Sequence, residues 1–508
     1  MSLVEIHPHD EVHVRVKTDP DAAHEIRDSL TFEVPGAKFT PRYKMGAWDG
    51  KVSLFSPYEP FLYKGLVGHV VETCEKNGHV VKVARGTVTC RTDATDGELV
   101  SAARAYTPRG YDVRDYQVNS FVDCVKMGRA VVLSSTSSGK TLMIYRVGRW
   151  YAELTGLPTL VLTTRTNLVA QMRDDFIEYS GGSVPVATIE DSSKRYPAGS
   201  RLVVSTWQSA LRAKPEWFSG FGCVVADEAH SWDSSAFIKI ASRWNTNPYR
   251  FGFSGTLDGT KVNRMTLVGV FGEVTVASTN SERIAAGDVS KPKITVIRAV
   301  HSREDAKLCS TGGKTVLGKK KPLDYAGEVG LAVRNAGRMK MVVDLCSTLR
   351  GNTLVLFHLN EDYGYPLRDA ILSALPDKSK FAFVNGKVPT DERRAAQRLM
   401  EENRDGVVVL ASLGTFSEGM SVDNIKNVVF AYPMKSRVRV LQSIGRGIRK
   451  DVGKEFCRFY DVVDDFRNGR RENLLWRHGL ERCAIYEAEG LDYRWVEVDL
   501  SSAGTHKE

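Results

Sequence analysis

The sequence lacks any run of about 18 apolar residues, the length a membrane-spanning helix needs, so no span is expected. The first residues, MSLVEIHPHDEV, lack the basic flank and apolar core of a secretory signal, and none is expected. Eight cysteines, at positions 74, 90, 124, 223, 309, 346, 457 and 483, never form a CxxC pair, and no Cys/His cluster has zinc spacing. A disulfide scaffold and a zinc ribbon are thereby excluded, and a reducing, cytoplasmic setting is expected. Short-period repeats and low-complexity tracts are absent too, so solenoid and disordered architectures are set aside.

What is there suits a folded, multidomain protein. At about 150 residues per domain, 508 residues suggest three domains, and 42% hydrophobic with 26% charged residues rules against wholesale disorder. The net charge of +9 suits a polyanionic partner without demanding one. Its distribution is uneven. Residues 1–100 carry 12 basic and 15 acidic side chains, whereas residues 435–482 carry 13 basic and 7 acidic.

Residues 1–100 mix short apolar runs, VHVRV (12–16), KVSLF (51–55) and HVVKV (79–83), with Gly and Pro turns. They read as a separate small α+β domain, with the polar stretch 91–99 as its boundary. From residue 112 onward β-branched runs alternate with helical patterns, the texture of parallel α/β units. One series spans residues 130–255 and a second spans residues 353–463, with 289–294 (VSKPKI) reading as a linker. The expected fold is therefore α/β. Two tandem parallel-sheet lobes, 101–290 and 291–470, follow the N-terminal domain and precede a helical tail, 471–508. In open α/β sheets ligands bind beyond the carboxyl ends of the strands, so motifs at those ends converge in space.

Four motifs sit at such ends. SSTSSGKT (134–141) follows an apolar strand and opens a helical pattern, the context of a phosphate-binding loop. There Ser138, Gly139, Lys140 and Thr141 would bind nucleotide, Lys140 at the β and γ phosphates and Thr141 on Mg²⁺. Ser134 replaces the usual first glycine. Asp227-Glu228-Ala229-His230 ends the run CVVA. Two carboxylates there suit metal-assisted phosphoryl transfer, Asp227 holding Mg²⁺ and Glu228 activating water. Ser254-Gly255-Thr256 ends FGF, where its hydroxyls could bond His230 and couple the nucleotide site to the rest of the lobe. Late in the chain, Gln442-Ser-Ile-Gly-Arg446-Gly-Ile-Arg449 puts Arg446 and Arg449 on one helical face, able to clamp phosphate charge. A second GKT, at 313–315, has no apolar strand before it and reads as a lysine-bearing surface loop.

The ordered set YQ (116–117), SSGKT, TTRTNLVAQ (163–171), STWQS (205–209), DEAH, SGT, SEGMSV (417–422) and QSIGRGIR resembles the superfamily 2 helicases, whose tandem lobes are RecA-like. The segments FEVPGAKF (32–39), PRYKMGAWDGK (41–51), FG (271–272) and VDD (463–465) extend the likeness to the UvsW-type DNA helicases of bacteriophages. The resemblance implies ATP and Mg²⁺ as cofactors and branched DNA or RNA–DNA hybrids as substrates. It further implies work in phage recombination, repair and replication in the host cytoplasm. It assigns Arg114 and Gln117 to adenine recognition, and Thr163, Arg165, Thr206 and Gln208 to strand tracking. Gly419 and Ser421 would touch strand and nucleotide, Ser421 standing where many relatives carry Asp. Gln442, Arg446 and Arg449 would sense nucleotide from the second lobe.

Two alternatives stay open: an RNA helicase with the same engine, and a motor or binding subunit of a restriction-type complex. The N-terminal block adds Lys38, Arg42, Lys44 and Lys51 interleaved with Phe39, Tyr43 and Trp48. Cations beside aromatics suit a nucleic-acid surface, with Arg42, Lys44, Trp48 and Lys51 as contacts. The same residues could equally be a small core and its wet rim, the reading preferred for Phe39 alone. The stretch Lys319-Lys320-Lys321 is expected to face solvent.

Overall fold

The computed structural model describes residues 1–34, 36–87, 92–135, 138–189, 196–232, 234–257, 261–313, 315–316, 319–417, 422–434, 440, 443–445, 447–449, 451, 454–469 and 471–501. The chain divides into two compact units, Met1–Ser278 and Thr279–Glu508. Among the described residues no helix is long and apolar enough to cross a membrane.

The first unit opens with β1 (Leu3–Pro8), β2 (His13–Lys17), β3 (Thr31–Glu33), β4 (Lys51–Ser53), β5 (Phe61–Tyr63) and β6 (Val80–Val83). Four of these form a sheet in the order β5-β2-β1-β6, while β3 and β4 make a separate ribbon. Alternation along β1 and β2 buries Val4, Ile6, Val14 and Val16 in one core with Ala22, Ile26, Val67 and Val70 of the helices Pro20–Ser29 and Val67–Lys76.

This block is less separate than its sequence suggests. Its core runs on into Trp244, Val270 and Phe271 of the following α/β lobe. Arg129 and Arg250 of that lobe donate to the Glu11 carbonyl, and Lys64 pairs with the Glu11 carboxylate at 3.1 Å. The expected boundary at residue 100 also falls inside a helix, Asp96–Ala105, capped by a reciprocal Thr95–Glu98 box. Leu99 and Ala103 of that helix belong to the lobe's core, beside Phe121 and Tyr145.

The lobe has seven parallel strands in the order β13-β7-β12-β11-β8-β10-β9. In chain order these are β7 (Arg129–Ser134), β8 (Thr159–Thr163), β9 (Val186–Ile189), β10 (Leu202–Thr206), β11 (Cys223–Ala226), β12 (Tyr249–Ser254) and β13 (Val274–Ser278). The inner strands are buried on both faces, which is why they read as apolar runs. The edge strands β9 and β13 are half-exposed and gave no such run.

The second unit repeats the plan with β14 (Lys291–Val300), β17 (Thr353–Phe357), β18 (Phe381–Val384), β19 (Val408–Ser412), β20 (Asn427–Phe430), β21 (Phe456–Asp465) and β22 (Tyr493–Asp499), all parallel. Their order is β18-β19-β17-β20-β21-β14-β22. Two expectations are corrected here. The supposed linker 289–294 starts the ten-residue strand β14, which lies between β21 and β22. The supposed helical tail carries the helix Leu474–Ala488 and also β22, which completes the sheet's edge. A hairpin of β15 (Thr315–Val316) and β16 (Lys319–Lys320) occupies the second GKT region; a strand and not a helix follows that lysine, so it is no phosphate loop.

Candidate functional site

At the carboxyl end of β7 the chain turns into the helix Lys140–Thr155. The Ser134 and Ser138 hydroxyls meet here. Gly139 caps the helix at φ +81°, and a Cβ there would also run into the Gln117 amide, so only glycine fits. Gln117 Nε2 and the Tyr116 hydroxyl both donate to the Ser138 carbonyl, at 2.8 and 2.9 Å. Arg114 donates to the Tyr116 hydroxyl at 3.3 Å. The expected adenine-reading residues thus lie against the loop and brace it.

Two strands away, β11 delivers the carboxylates. Asp227 is buried, and its Oδ1 has no hydrogen-bond partner among the described residues. Burial pushes its carboxyl up from the ordinary value; the Lys140 charge pulls it back, and the neighbouring Glu228 pushes it up again. Trp232 Nε1 donates to the Asp227 carbonyl at 3.2 Å and fixes the strand end.

Glu228 adopts the left-handed conformation, φ +46°, a strain of about 1–3 kcal/mol for a non-glycine residue. That turn brings its Oε1 to Lys140 Nζ at 2.7 Å and its Oε2 to His230 Nδ1 at 3.4 Å. His230 Nδ1 also lies 2.8 Å from Ser254 Oγ. The Ser254 hydroxyl donates to the Thr256 carbonyl, so His230 is the donor to Ser254. Thr256 N donates back to Ser254 Oγ at 3.3 Å. One chain of polar contacts therefore crosses from β7 through β11 to β12: Lys140, Glu228, His230, Ser254, Thr256.

The residues fit a magnesium–nucleotide pair. A buried carboxylate oxygen without a partner, beside a lysine at a helix N-terminus followed by Thr141, is the donor set such an ion takes. Magnesium is held by one or two protein oxygens plus substrate phosphates rather than by a full protein cage. Among the described residues there is no group of three or more His, Cys, Asp or Glu side chains that could hold a metal ion.

The four expected strand-tracking residues separate into two kinds. Arg165 and Gln208 are exposed, and Gln208 Nε2 donates to the Thr164 carbonyl at 3.1 Å. Thr163 is fully buried, and Thr206 is buried as the cap of the helix Trp207–Ala210, its Oγ1 accepting from Ser209 N at 3.2 Å. The Thr206 hydroxyl is thus engaged as a helix cap, whereas the buried Thr163 hydroxyl has no hydrogen-bond partner among the described residues.

In the second unit, Arg449 reaches Asp423 at 3.6 Å, and burial lowers its guanidinium from the ordinary value. Lys454, which no sequence signal marked, donates to three carbonyls, those of Asp423, Gly447 and Arg449, at 2.7, 2.7 and 2.8 Å. It ties off the end of the arginine motif. Gly419, Ser421, Gln442 and Arg446 lie outside the described residues.

In the N-terminal block Lys38, Arg42, Lys44 and Lys51 are all exposed. Phe39 is 81% exposed, so the core role preferred for it is wrong. It sits in a single 3-10 turn, Ala37–Phe39, that buries only Ala37. Trp48 is half-buried and donates to the Lys51 carbonyl at 2.7 Å, and the Tyr43 ring packs under Gly50, whose φ is +80°.

Comparison with known proteins settles the family. Residues 4–84 match the model "DNA helicase UvsW, N-terminal", and residues 110–259 match "Type III restriction enzyme, res subunit". The chain is 30% identical, over 523 aligned residues, to the ATP-dependent DNA helicase uvsW of Enterobacteria phage T4, covering 98% of this chain and 100% of that one. The chain belongs to the UvsW family of ATP-dependent DNA helicases. A crystal structure of the UvsW helicase from bacteriophage T4 is 29% identical over 54% of this chain and 99% of its own, with a TM-score of 0.50. The restriction-modification enzyme LlaBIII bound to DNA, 14% identical with a TM-score of 0.56 over 78% of this chain and 32% of its own, shares the fold. The two seven-stranded sheets are the tandem RecA-like lobes of a UvsW-type superfamily 2 enzyme, preceded by its small N-terminal domain.

Proposed function

We propose that this chain hydrolyses ATP at the Lys140–Glu228 centre and uses it to drive strand movement on branched DNA, migrating junctions and opening hybrid structures during phage recombination, repair and replication. The observation that carries this is the strained turn at Glu228. A left-handed glutamate persists only where the surroundings over-determine it, and here it holds a carboxylate between Lys140 and His230. With ATP bound, Lys140 exchanges its carboxylate partner for phosphate oxygens, leaving Glu228 to orient and accept a proton from water. Asp227 and Thr141 would hold magnesium, which neutralises phosphate charge. His230, bonded to Ser254, links the state of Glu228 to the end of β12 and so serves coupling. Arg165 and Gln208 grip the strand backbone. Gln442, Arg446 and Arg449 sense the nucleotide from the second lobe. Arg42, Lys44, Trp48 and Lys51 contact the junction, and Arg114 and Gln117 the adenine.

The test is ATP hydrolysis by the purified chain with a fork, a four-way junction, linear duplex and duplex RNA side by side. Stimulation greatest with branched DNA is expected. Equal stimulation by RNA duplex would replace the substrate class, and no stimulation by any nucleic acid would remove the motor. The match of residues 110–259 to a restriction-enzyme subunit favours a second reading, the motor of a larger complex. Strand separation by the chain alone decides against it.

A further inference from the structure

The N-terminal sheet has an outer face that nothing above has used. β2 and β5 pair antiparallel, with His13 opposite Tyr63, Val14 opposite Leu62 and Arg15 opposite Phe61. Side chains alternate along a strand, so buried Val14 and Leu62 face one side, while His13, Arg15, Phe61 and Tyr63 share the other, where Tyr63 is itself buried against the first lobe at Gly269. His9, at the turn between β1 and β2, lays its ring 4.5 Å from Phe61, and His13 lies 5.0 Å from Tyr63. Phe61 stays 39% exposed despite these contacts. A cavity of about 450 Å³ opens beside these rings, lined also by Ser53, Ser56, Glu59 and, from the first lobe's helix Ser234–Ala241, Ile238.

We infer that this groove receives one unpaired nucleobase of a branched DNA, stacked on the Phe61 and His9 rings; this rests on the DNA reading of the neighbouring cations proposed above. Three observations favour a base over other occupants. First, the volume falls in the range of small-ligand sites, and accessible aromatic faces are what sequence-tolerant base binding uses. Second, the charge is wrong for phosphate. Glu59 is exposed and is the acidic side chain among the lining residues, so the groove offers an acceptor to a base's exocyclic amine and repulsion to an anion. Third, β4 joins this groove to the cationic patch. Lys51, like Arg42 and Lys44, is exposed, and Val52 and Ser53, the next two residues, line the cavity. Two residues of strand span about 7 Å, so a backbone held at Lys51 brings its own base to the mouth of the groove. The cations then supply salt-dependent grip, and the groove adds a contact that needs a base out of its duplex, which a junction provides and a linear duplex does not.

The experiment measures the affinity of the full chain for a junction carrying one unpaired base at the branch, against the same junction with an abasic site there. Wild type should prefer the base by roughly 5- to 100-fold, the range set by one base–aromatic stack. Phe61→Ala should erase that preference and leave the salt slope of binding unchanged, because no phosphate contact is lost. Phe61→Trp should keep it. His9→Ala, on an exposed turn, should reduce it and serves as the second variant if Phe61→Ala melts early. A wild type that binds the junction but ignores the missing base overturns the groove and leaves the cationic patch standing. A Phe61→Ala protein that melts like wild type and still prefers the base overturns it equally. Wild type that binds no branched DNA overturns both readings.

Discussion

Asp227 in the first lobe and Asp464 in the second are both buried carboxylates at the carboxyl end of a parallel strand, and their carboxyls move in opposite directions. Burial pushes both up. At Asp464 it is outweighed by the Arg338 charge, Nε at 2.7 Å, and by His301 Nε2 at 2.9 Å, so the carboxyl is held down at about 2. At Asp227 the cation that pulls the carboxyl down is Lys140, whose ammonium also pairs with Glu228, and the result is a raised carboxyl with an oxygen lacking a partner among the described residues. A second buried carboxylate in the second lobe is also paired with an arginine. Asp461 takes a bidentate Arg482 at 2.8 and 2.9 Å, with Tyr486 at 2.9 Å. Asp464 Oδ2 likewise has no hydrogen-bond partner among the described residues, so what separates Asp464 from Asp227 is the charge beside them: a guanidinium and an imidazole on Asp464 Oδ1, and at Asp227 an ammonium that also pairs with Glu228. A buried carboxylate held above its ordinary value is the pattern expected of a functional group, which is the role proposed for Asp227.

The contrast is open to test, and the largest effects lie in the first lobe. Lys140→Ala should cut ATP turnover at least about a hundredfold, since it removes the cation at the transferring phosphate. Phosphate release at wild-type rate would break the comparison at its root. Glu228→Gln should bind ATP and DNA as before and hydrolyse about 10²- to 10⁴-fold more slowly, the usual worth of a positioned base. Single-turnover kinetics separate this from a binding defect.

In the second lobe the expected losses are of stability. Arg338→Ala leaves the buried Asp464 carboxylate without its guanidinium and should destabilise the unit by about 3–5 kcal/mol, read by denaturant unfolding. A loss below about 1 kcal/mol, the worth of an exposed pair, would show that the network is not the anchor described. The acid limb follows from the lowered carboxyl. Asp464 is depressed from the ordinary aspartate value, about 3.9, to about 2, so its contribution is full above pH ~4 and disappears as pH falls towards 2. About 2–3 kcal/mol should be lost across that window, and Asp464→Asn should flatten it. The smallest effect has the opposite sign. Asp227 is raised by burial, so at neutral pH its charged form is penalised in the folded state. Asp227→Asn should therefore stabilise the first unit, by on the order of 1 kcal/mol, while abolishing turnover. A lower melting temperature for that variant would mean that the carboxylate is satisfied after all.

Much of this was legible in the chain. The inner strands of both lobes are buried on both faces, so burial wrote itself into runs such as TLVLT and CVVA. The motifs at their ends were legible for the same reason: a strand end and a helix start mark where phosphate chemistry can sit. Edge strands escaped notice because one side of each meets solvent. VATI, VTVAS and YRWVEVD lack an unbroken apolar signal, and with the last of them the C-terminal edge of the second sheet was missed. The extent of the N-terminal domain was missed because its core is shared with Trp244 and Phe271, which lie 170 residues or more beyond its last core residue, Cys74.

By itself the sequence determined the class of machine, because residue type and order suffice for a phosphate loop, a carboxylate pair and an arginine motif. Tertiary structure alone decided which of those groups are satisfied. Composition could not say that Phe39 projects into solvent while Thr163 is sealed. Nor could it say that Glu228 would meet Lys140 across 88 residues, or that Asp464 would find Arg338 and Asp227 would find no equivalent. Those outcomes depend on distances of 3–4 Å between distant segments, and at that range the sign of a carboxyl's shift is set by its neighbours and not by its own chemistry.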